Sequence, residues 1–304
     1  MRIRPDLVLC CAVTLALTAG TSLAGDGHRH SQGHRNVSID HDEPATCDDI
    51  QVDFDDRPAL RAEEHATLPA GGTLRLEAAE NSGVYVREAD RADFEVVLCK
   101  AAPKQASLAA IALARSAGQV SVTGPSSGEW AGYLLVAAPR GASLEISASN
   151  GPIGLVGLSG RVTARTENGP ISARRATGEL DLEAENGPIS FVGASGHSKL
   201  RTQNGPIGVT LGGRSWEGDG LDARAVNGPV SLSIPAGYAS AAVVESAGRS
   251  PFQCRGEGCG SARKTWDDDG RRIEVGEGPV LVRVATVNGP VSVRTGAGAD
   301  EDEE

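Results

Sequence analysis

Aromatic side chains are scarce in this 304-residue chain: three Trp, three Tyr and four Phe, 3% of the total. A thin interior filled by Ile, Val, Leu and Ala does not need such rings. Their scarcity also counts against a sugar-binding surface built on aromatic platforms. Positive charge is in the minority, 29 Lys and Arg against 40 Asp and Glu, for a net charge of −11. That balance argues against nucleic acid as a partner. Long apolar runs are missing beyond the first two dozen residues, so no transmembrane helix is expected in a mature chain. No Ser/His/Asp set, phosphate-binding glycine loop or closed zinc spacing is visible, and Cys254-x4-Cys259 is a poor match to a zinc knuckle. The expectation is therefore no catalytic residue, no cofactor and no metal site.

Glycine is abundant, 39 residues, and much of it is periodic. Asn-Gly-Pro-Ile starts at Asn150, Asn168, Asn186 and Asn204, each 18 residues after the last, and Asn-Gly-Pro-Val follows at Asn227 and Asn288. A fixed period means one structural unit stacked on copies of itself. Counting from each Asn, position 4 is Ile153, Ile171, Ile189 and Ile207, and position 6 is Leu155, Ala173, Phe191 and Val209. Positions 13 and 15 are Val162 with Ala164, Leu180 with Leu182, and Ser198 with Leu200. Apolar residues two apart predict two short strands per unit, each with one face buried. Asn-Gly at positions 1–2 and Gly160, Gly178 and Gly196 at position 11 are read as corners where positive φ is easiest. Pro at position 3 has no N–H for a ladder and suits the first residue of a strand. The six corner residues Asn150, Asn168, Asn186, Asn204, Asn227 and Asn288 are expected to stack their side-chain amides up the ladder.

From Asn204 to Asn227 the spacing is 23 residues. If the five extra residues lie around 212–220, Leu221, Ala223 and Ala225 resume the inward alternation. An insertion absorbed by a corner is solenoid behaviour. A left-handed hexapeptide helix would need an apolar residue at position 16, which holds Arg165, Glu183 and Arg201. An antiparallel sandwich would not need an exact period. The fold class predicted is all-β, a single parallel β-solenoid of two strands per 18-residue coil, right-handed by the usual crossover rule. Irregular N-terminal coils and a disulfide-bearing C-terminal insertion flank it.

The domain reading follows the chain. Residues 1–24 read as a signal peptide: Arg2 and Arg4, an apolar run from Leu7 to Leu17, then Ser22-Leu23-Ala24, with the mature chain starting at Gly25. Residues 25–46, with His28, His30, His34 and His41, read as a disordered lead-in without fixed metal-ligand geometry. The solenoid is placed at 47–298, its regular coils at 150–230, and an acidic disordered tail at 299–304. Cys47, Cys99, Cys254 and Cys259 remain after processing, which favours disulfides in an exported protein. Four cysteines allow three pairings. The short Gly-containing loop favours Cys254 with Cys259, leaving Cys47 with Cys99 by elimination.

The Asn-Gly-Pro-[Ile/Val] corners, the run Val230-Ser231-Leu232-Ser233-Ile234-Pro235 and the closing Thr286–Val291 resemble a bacterial family of unknown function, the putative-adhesin β-strand-repeat proteins. The likeness covers roughly 70–295 and implies a β-solenoid exposed in the cell envelope, with no catalytic residues to carry over. Pro after Asn-Gly and the extra cysteines depart from the family's repeats. The functional expectation is an exported, non-enzymatic surface scaffold or adhesion-like module, periplasmic or extracellular, with an unidentified envelope or surface partner and self-association left open. The alternative is a carbohydrate-active β-helix enzyme. It would need gathered acids, and its candidates are Asp181 and Asp222, separated by Lys199, and the stacked Glu167 and Glu185. A long acidic groove would favour the enzyme, a mixed-charge surface the scaffold. Trp216, in the insertion, is the candidate partner contact, with folding back onto its own coil as the alternative.

Overall fold

A computed structural model describes residues 35–39, 43–78, 82–126, 129–247, 250–267 and 270–296. The signal peptide, the histidine run and the acidic tail read from the sequence lie outside the described residues. The fold is all-β, built on an eleven-stranded and a twelve-stranded sheet with a separate three-stranded arm.

Each repeat contributes one strand to each large sheet. In the eleven-stranded sheet Ile153–Val156, Ile171–Arg174, Ile189–Gly193, Ile207–Leu211 and Val230–Ile234 lie side by side, all parallel. Ile153, Ile171, Ile189, Ile207 and Val230 are direct register partners in turn. In the twelve-stranded sheet Ser143–Ala148, Arg161–Thr166, Glu179–Ala184, Ser195–Asn204 and Glu217–Asn227 do the same. The inward side chains of the two sheets form one buried cluster, in which Leu155, Ala173, Phe191 and Val209 alternate in size. The insertion leaves Ser198↔Leu221 and Leu200↔Ala223 in register, and the irregularity is confined to the stretch facing Ser195–His197.

Ser82-Gly83-Val84, which lacks the Asn-Gly-Pro sequence, fills the slot before the first Asn-Gly-Pro. Val84 pairs with Ile153, and its N–H donates to Pro152 O at 2.9 Å. Pro251-Phe252 does the same at the other end, where Phe252 pairs with Val291 and Pro251 O accepts from Val291 N–H at 2.9 Å.

The last Asn-Gly-Pro coil does not sit last in the stack. Val280–Asn288 lies between Glu217–Asn227 and Ala241–Ala247, parallel to both. Val291–Thr295 lies between Val230–Ile234 and Phe252–Arg255, again parallel to both. The chain therefore lays down the coil at 241–255 one place too far along and returns to fill the gap.

Three expectations need correction. Both large sheets are mixed, where a single parallel solenoid over 47–298 would be parallel throughout. Asp93–Ala102 runs antiparallel to Ala131–Pro139 and to Leu60–Pro69, and Gly270–Val275 runs antiparallel to Ala241–Ala247. Two hairpins add to this, Ala112–Ser116 with Gln119–Thr123 and Arg263–Trp266 with Gly270–Val275. Their connections are too short for the crossover that parallel pairing needs. Second, Arg35–Ile39, within the stretch read as a disordered lead-in, is a strand antiparallel to Ile50–Phe54. Its alternating Val37 and Ile39 pack on a second apolar cluster. Third, the corner glycines at position 2 do not have positive φ, nor do Gly160 and Gly178 at position 11, where Gly196 does (φ 99); at position 8 Gly157 and Arg175 have it. The position-2 glycines answer to space. A Cβ on Gly169, Gly187, Gly205 or Gly228 would lie 2.0–2.3 Å from the carbonyl oxygen of the corner glycine one coil back.

Candidate functional site

The repeat corners make a continuous ridge. Asn168, Asn186, Asn204, Asn227 and Asn288 each donate Nδ2 to Oδ1 of the corner Asn one coil back, at 2.9–3.1 Å. The ladder consumes the amides on each other, which is a structural use. Beside it the prolines accept at their carbonyls, as in Ile171 N–H to Pro188 O at 3.0 Å. Pro170, Pro188, Pro206, Pro229 and Pro290 are exposed.

The outward face of the twelve-stranded sheet carries the charge rows. Arg161 meets Glu179 at 2.6 Å and Arg165 meets Glu183 at 3.2 Å, each pair in direct register. Arg201 and Arg224 are also register partners. The like charges part: Arg201 reaches Asp181 at 3.3 Å, and Arg224 grips both oxygens of Asp222 at 2.8 and 2.9 Å. An open groove of about 940 Å³ runs over this face, lined by Arg165, Arg201, Arg224, Glu167, Glu183 and Glu185 among others. Its charge is balanced. Lys199 lies between Asp181 and Asp222 in register.

Trp216 is not a surface contact. It is 3% exposed, its Nε1–H donates to Gly196 O at 3.1 Å, and its ring lies 6.0 Å from Phe191. The insertion folds back so that the indole is buried beside Phe191 while its one donor is satisfied on Gly196 O. The exposed tryptophan is Trp266, 52% accessible, on Arg263–Trp266 at the edge of the twelve-stranded sheet. It meets Phe252 edge-on at 5.4 Å, with the Arg271 guanidinium 5.7 Å from its ring centre. Its sequence context, Arg263-Lys264-Thr265-Trp266 before an acidic run, carries no periodic signal.

The structure joins Cys47 to Cys99 and Cys254 to Cys259, with Cα–Cα separations of 5.4 and 5.7 Å. Two disulfides are compatible with an extracytoplasmic location. The first ties the N-terminal arm to the outer face of the eleven-stranded sheet. There Ile50, Val52 and Phe54 pack against Tyr133 and Leu135 and form the second apolar cluster. A recess of about 280 Å³ opens beside it, under residues Glu43–Ala45. Near the C-terminal end of Ser82–Ala89, an inner strand of the same sheet, Glu88 accepts from the Ser159 hydroxyl, from Ser159 N–H at 2.8 Å and from Gly141 N–H at 3.3 Å. Partial burial works against its charge, but these donors hold the carboxyl below its ordinary range. Among the described residues there is no group of three or more His, Cys, Asp or Glu that could hold a metal ion, and no helix long and apolar enough to cross a membrane.

No family model matches the sequence, and no curated protein does. Several solved structures show likeness, among them these three. A putative cell adhesion protein from Clostridium sporogenes is 9% identical, with 78% of this chain and 100% of that one covered, at a TM-score of 0.35. A putative adhesin from Bacteroides fragilis is 10% identical over 77% of this chain and 97% of its own, at 0.29. A putative lipid binding protein from Parabacteroides distasonis is 8% identical over 77% and 96%, at 0.25.

Proposed function

We propose that the protein is an exported, non-enzymatic β-solenoid that serves as a surface scaffold or adhesion-like module of the cell envelope. The parallel, in-register stack from Ser143 to Thr295 is its solenoid body, and the antiparallel strands at either end are its caps. The observation that carries the reading is the balanced charge of the large groove, three arginines against three glutamates, with Arg165, Glu183 and Arg201 successive in register. A glycosidase needs two carboxyls facing one substrate, one of them free to hold a proton. Here Asp181, Asp222 and Glu183 are each engaged by an arginine. Rows of paired charge suit a rigid exposed surface, and the disulfides suit an oxidising compartment.

The test is fractionation and surface proteolysis of producing cells, followed by binding of the purified mature protein to intact cells and to isolated envelope. Cell-surface or periplasmic recovery with saturable envelope binding is expected. Recovery in the cytosol with free thiols, or release of reducing ends from any member of a polysaccharide panel, would overturn the proposal.

A further inference from the structure

The recess beneath Glu43–Ala45 has a built floor, a pinned roof and, among the described residues, one unspent charge. The floor is two rows of outward side chains on the eleven-stranded sheet. Val97, Leu135, Tyr85 and Gly154 are register neighbours in one row. Glu95, Ala137, Arg87 and Val156 are neighbours in the next. Gly154 makes room for the Tyr85 ring, which rests over it: a Cβ there would lie 2.5 Å from that ring. The roof is a strap fixed at both ends. Glu43 binds Arg175 at 2.7 Å, and Cys47 is bonded to Cys99 four residues on. Pro44, buried between the two anchors, stiffens it.

The charges around the recess do not cancel. Glu43 is spent on Arg175 and Glu95 on Arg91. Arg87 is exposed and makes no side-chain hydrogen bond or ion pair among the described residues. An apolar floor of limited volume with one convergent polar group is the pattern of a small-ligand site. The free guanidinium sets the sign of the ligand, since its fork matches a carboxylate. We propose that this recess binds a small anionic amphiphile, its apolar body on Leu135, Val97 and Ala137 and its carboxylate on Arg87. The assignment is independent of the scaffold reading.

Decanoate is the probe, titrated into the purified disulfide-bonded protein by calorimetry, with 1-decanol as its neutral counterpart. Saturable one-to-one decanoate binding is expected. Arg87→Gln should weaken it about ten- to a hundredfold, the span of a lost charge-assisted hydrogen bond, and leave decanol unchanged. Ala137→Phe, which fills the floor, should abolish binding of both. Arg294→Gln, an exposed arginine on the same sheet six strands away, should change neither. Non-saturable uptake, wild-type affinity in Arg87→Gln, or retained binding in a folded Ala137→Phe would each overturn the site. Arg87→Gln is a surface change and stays readable if Ala137→Phe fails to fold.

Discussion

Two glycine-to-alanine substitutions separate the reasons a corner needs glycine. At Gly187 an added Cβ would lie 2.0 Å from Gly169 O and 2.8 Å from its carbonyl carbon. Reaching an ordinary contact of 3.4 Å means opening the two coils by about 1.4 Å, and the neighbouring atoms are backbone and cannot rotate away. That opening would carry Asn186 Nδ2 to Asn168 Oδ1, now 3.1 Å, and Asn186 N–H to Glu167 O, now 2.8 Å, beyond hydrogen-bonding range. Two lost bonds at about 0.5–1.5 kcal/mol each, plus about 1–3 for overpacking, give roughly 2–6 kcal/mol for Gly187→Ala. Gly157 has φ +67, and a Cβ there would meet nothing within 4 Å, so Gly157→Ala carries only the left-handed backbone cost, about 1–2 kcal/mol. Urea unfolding followed by far-ultraviolet circular dichroism reads both, as midpoint shifts at constant slope. If Gly157→Ala cost as much as Gly187→Ala, or Gly187→Ala cost under ~1 kcal/mol, close coil approach would not be the reason.

Truncating the inward column should cost far more than truncating the outward rows: about 2–5 kcal/mol for Ile171→Ala or Ile189→Ala against under ~1 for Glu183→Ala in the same urea series. Trp216→Ala should lose about 3–5 kcal/mol, as a buried anchor does, while leaving envelope binding by the folded protein intact. The Cys47–Cys99 bridge closes 52 residues and the Cys254–Cys259 bridge 5. On loop entropy alone their removal should cost about 4 and about 2 kcal/mol, so paired Cys→Ser variants should rank in that order in thermal melts. Because its folded carboxyl is held below the unfolded value, Glu88 contributes stability that is complete above the unfolded pKa and disappears as pH falls through the folded one. Wild type should therefore lose stability on acidification below about pH 4.5 more steeply than Glu88→Gln, and parallel curves would refute the role of its three donors.

What the sequence makes legible is whatever repeats. The 18-residue spacing fixes the inward columns, the asparagine ladder and the register across the insertion, because each rests on several copies of one local choice. What happens once is harder to see. Ala131–Pro139 is buried along its whole length, on one side by the interior and on the other by the arm. A continuous apolar run cannot reveal which elements cover it. The arm itself is held by a disulfide across 52 residues, a contact with no local signal. Trp216 misleads for a related reason: an insertion in a polar corner looks exposed, yet the ring it packs against is Phe191, one coil earlier. The corner glycines are legible as corners but not in their reason, since composition cannot distinguish a need for φ from a need for room.

The displaced final coil gives the molecule a history as well as a shape. Coils that stack in chain order can close as they leave the ribosome, each on the one before. Here that succession stops at Val230–Ile234. The coil at 241–255 emerges next and can pair with Gly270–Val275 on its outer side, but it has no neighbour on the side of the stack until residues 280–295 arrive and wedge in beside it. Until then two open strand edges face each other across an unfilled gap, in a state prone to pairing with other chains. The closing Asn-Gly-Pro-Val is thus a keystone, last to be made and the piece on which the coil beyond it rests. A chain stopped short of Val280 would not be the same stack one coil shorter. It would be an arch left open, with the Cys254–Cys259 coil stranded on the far side.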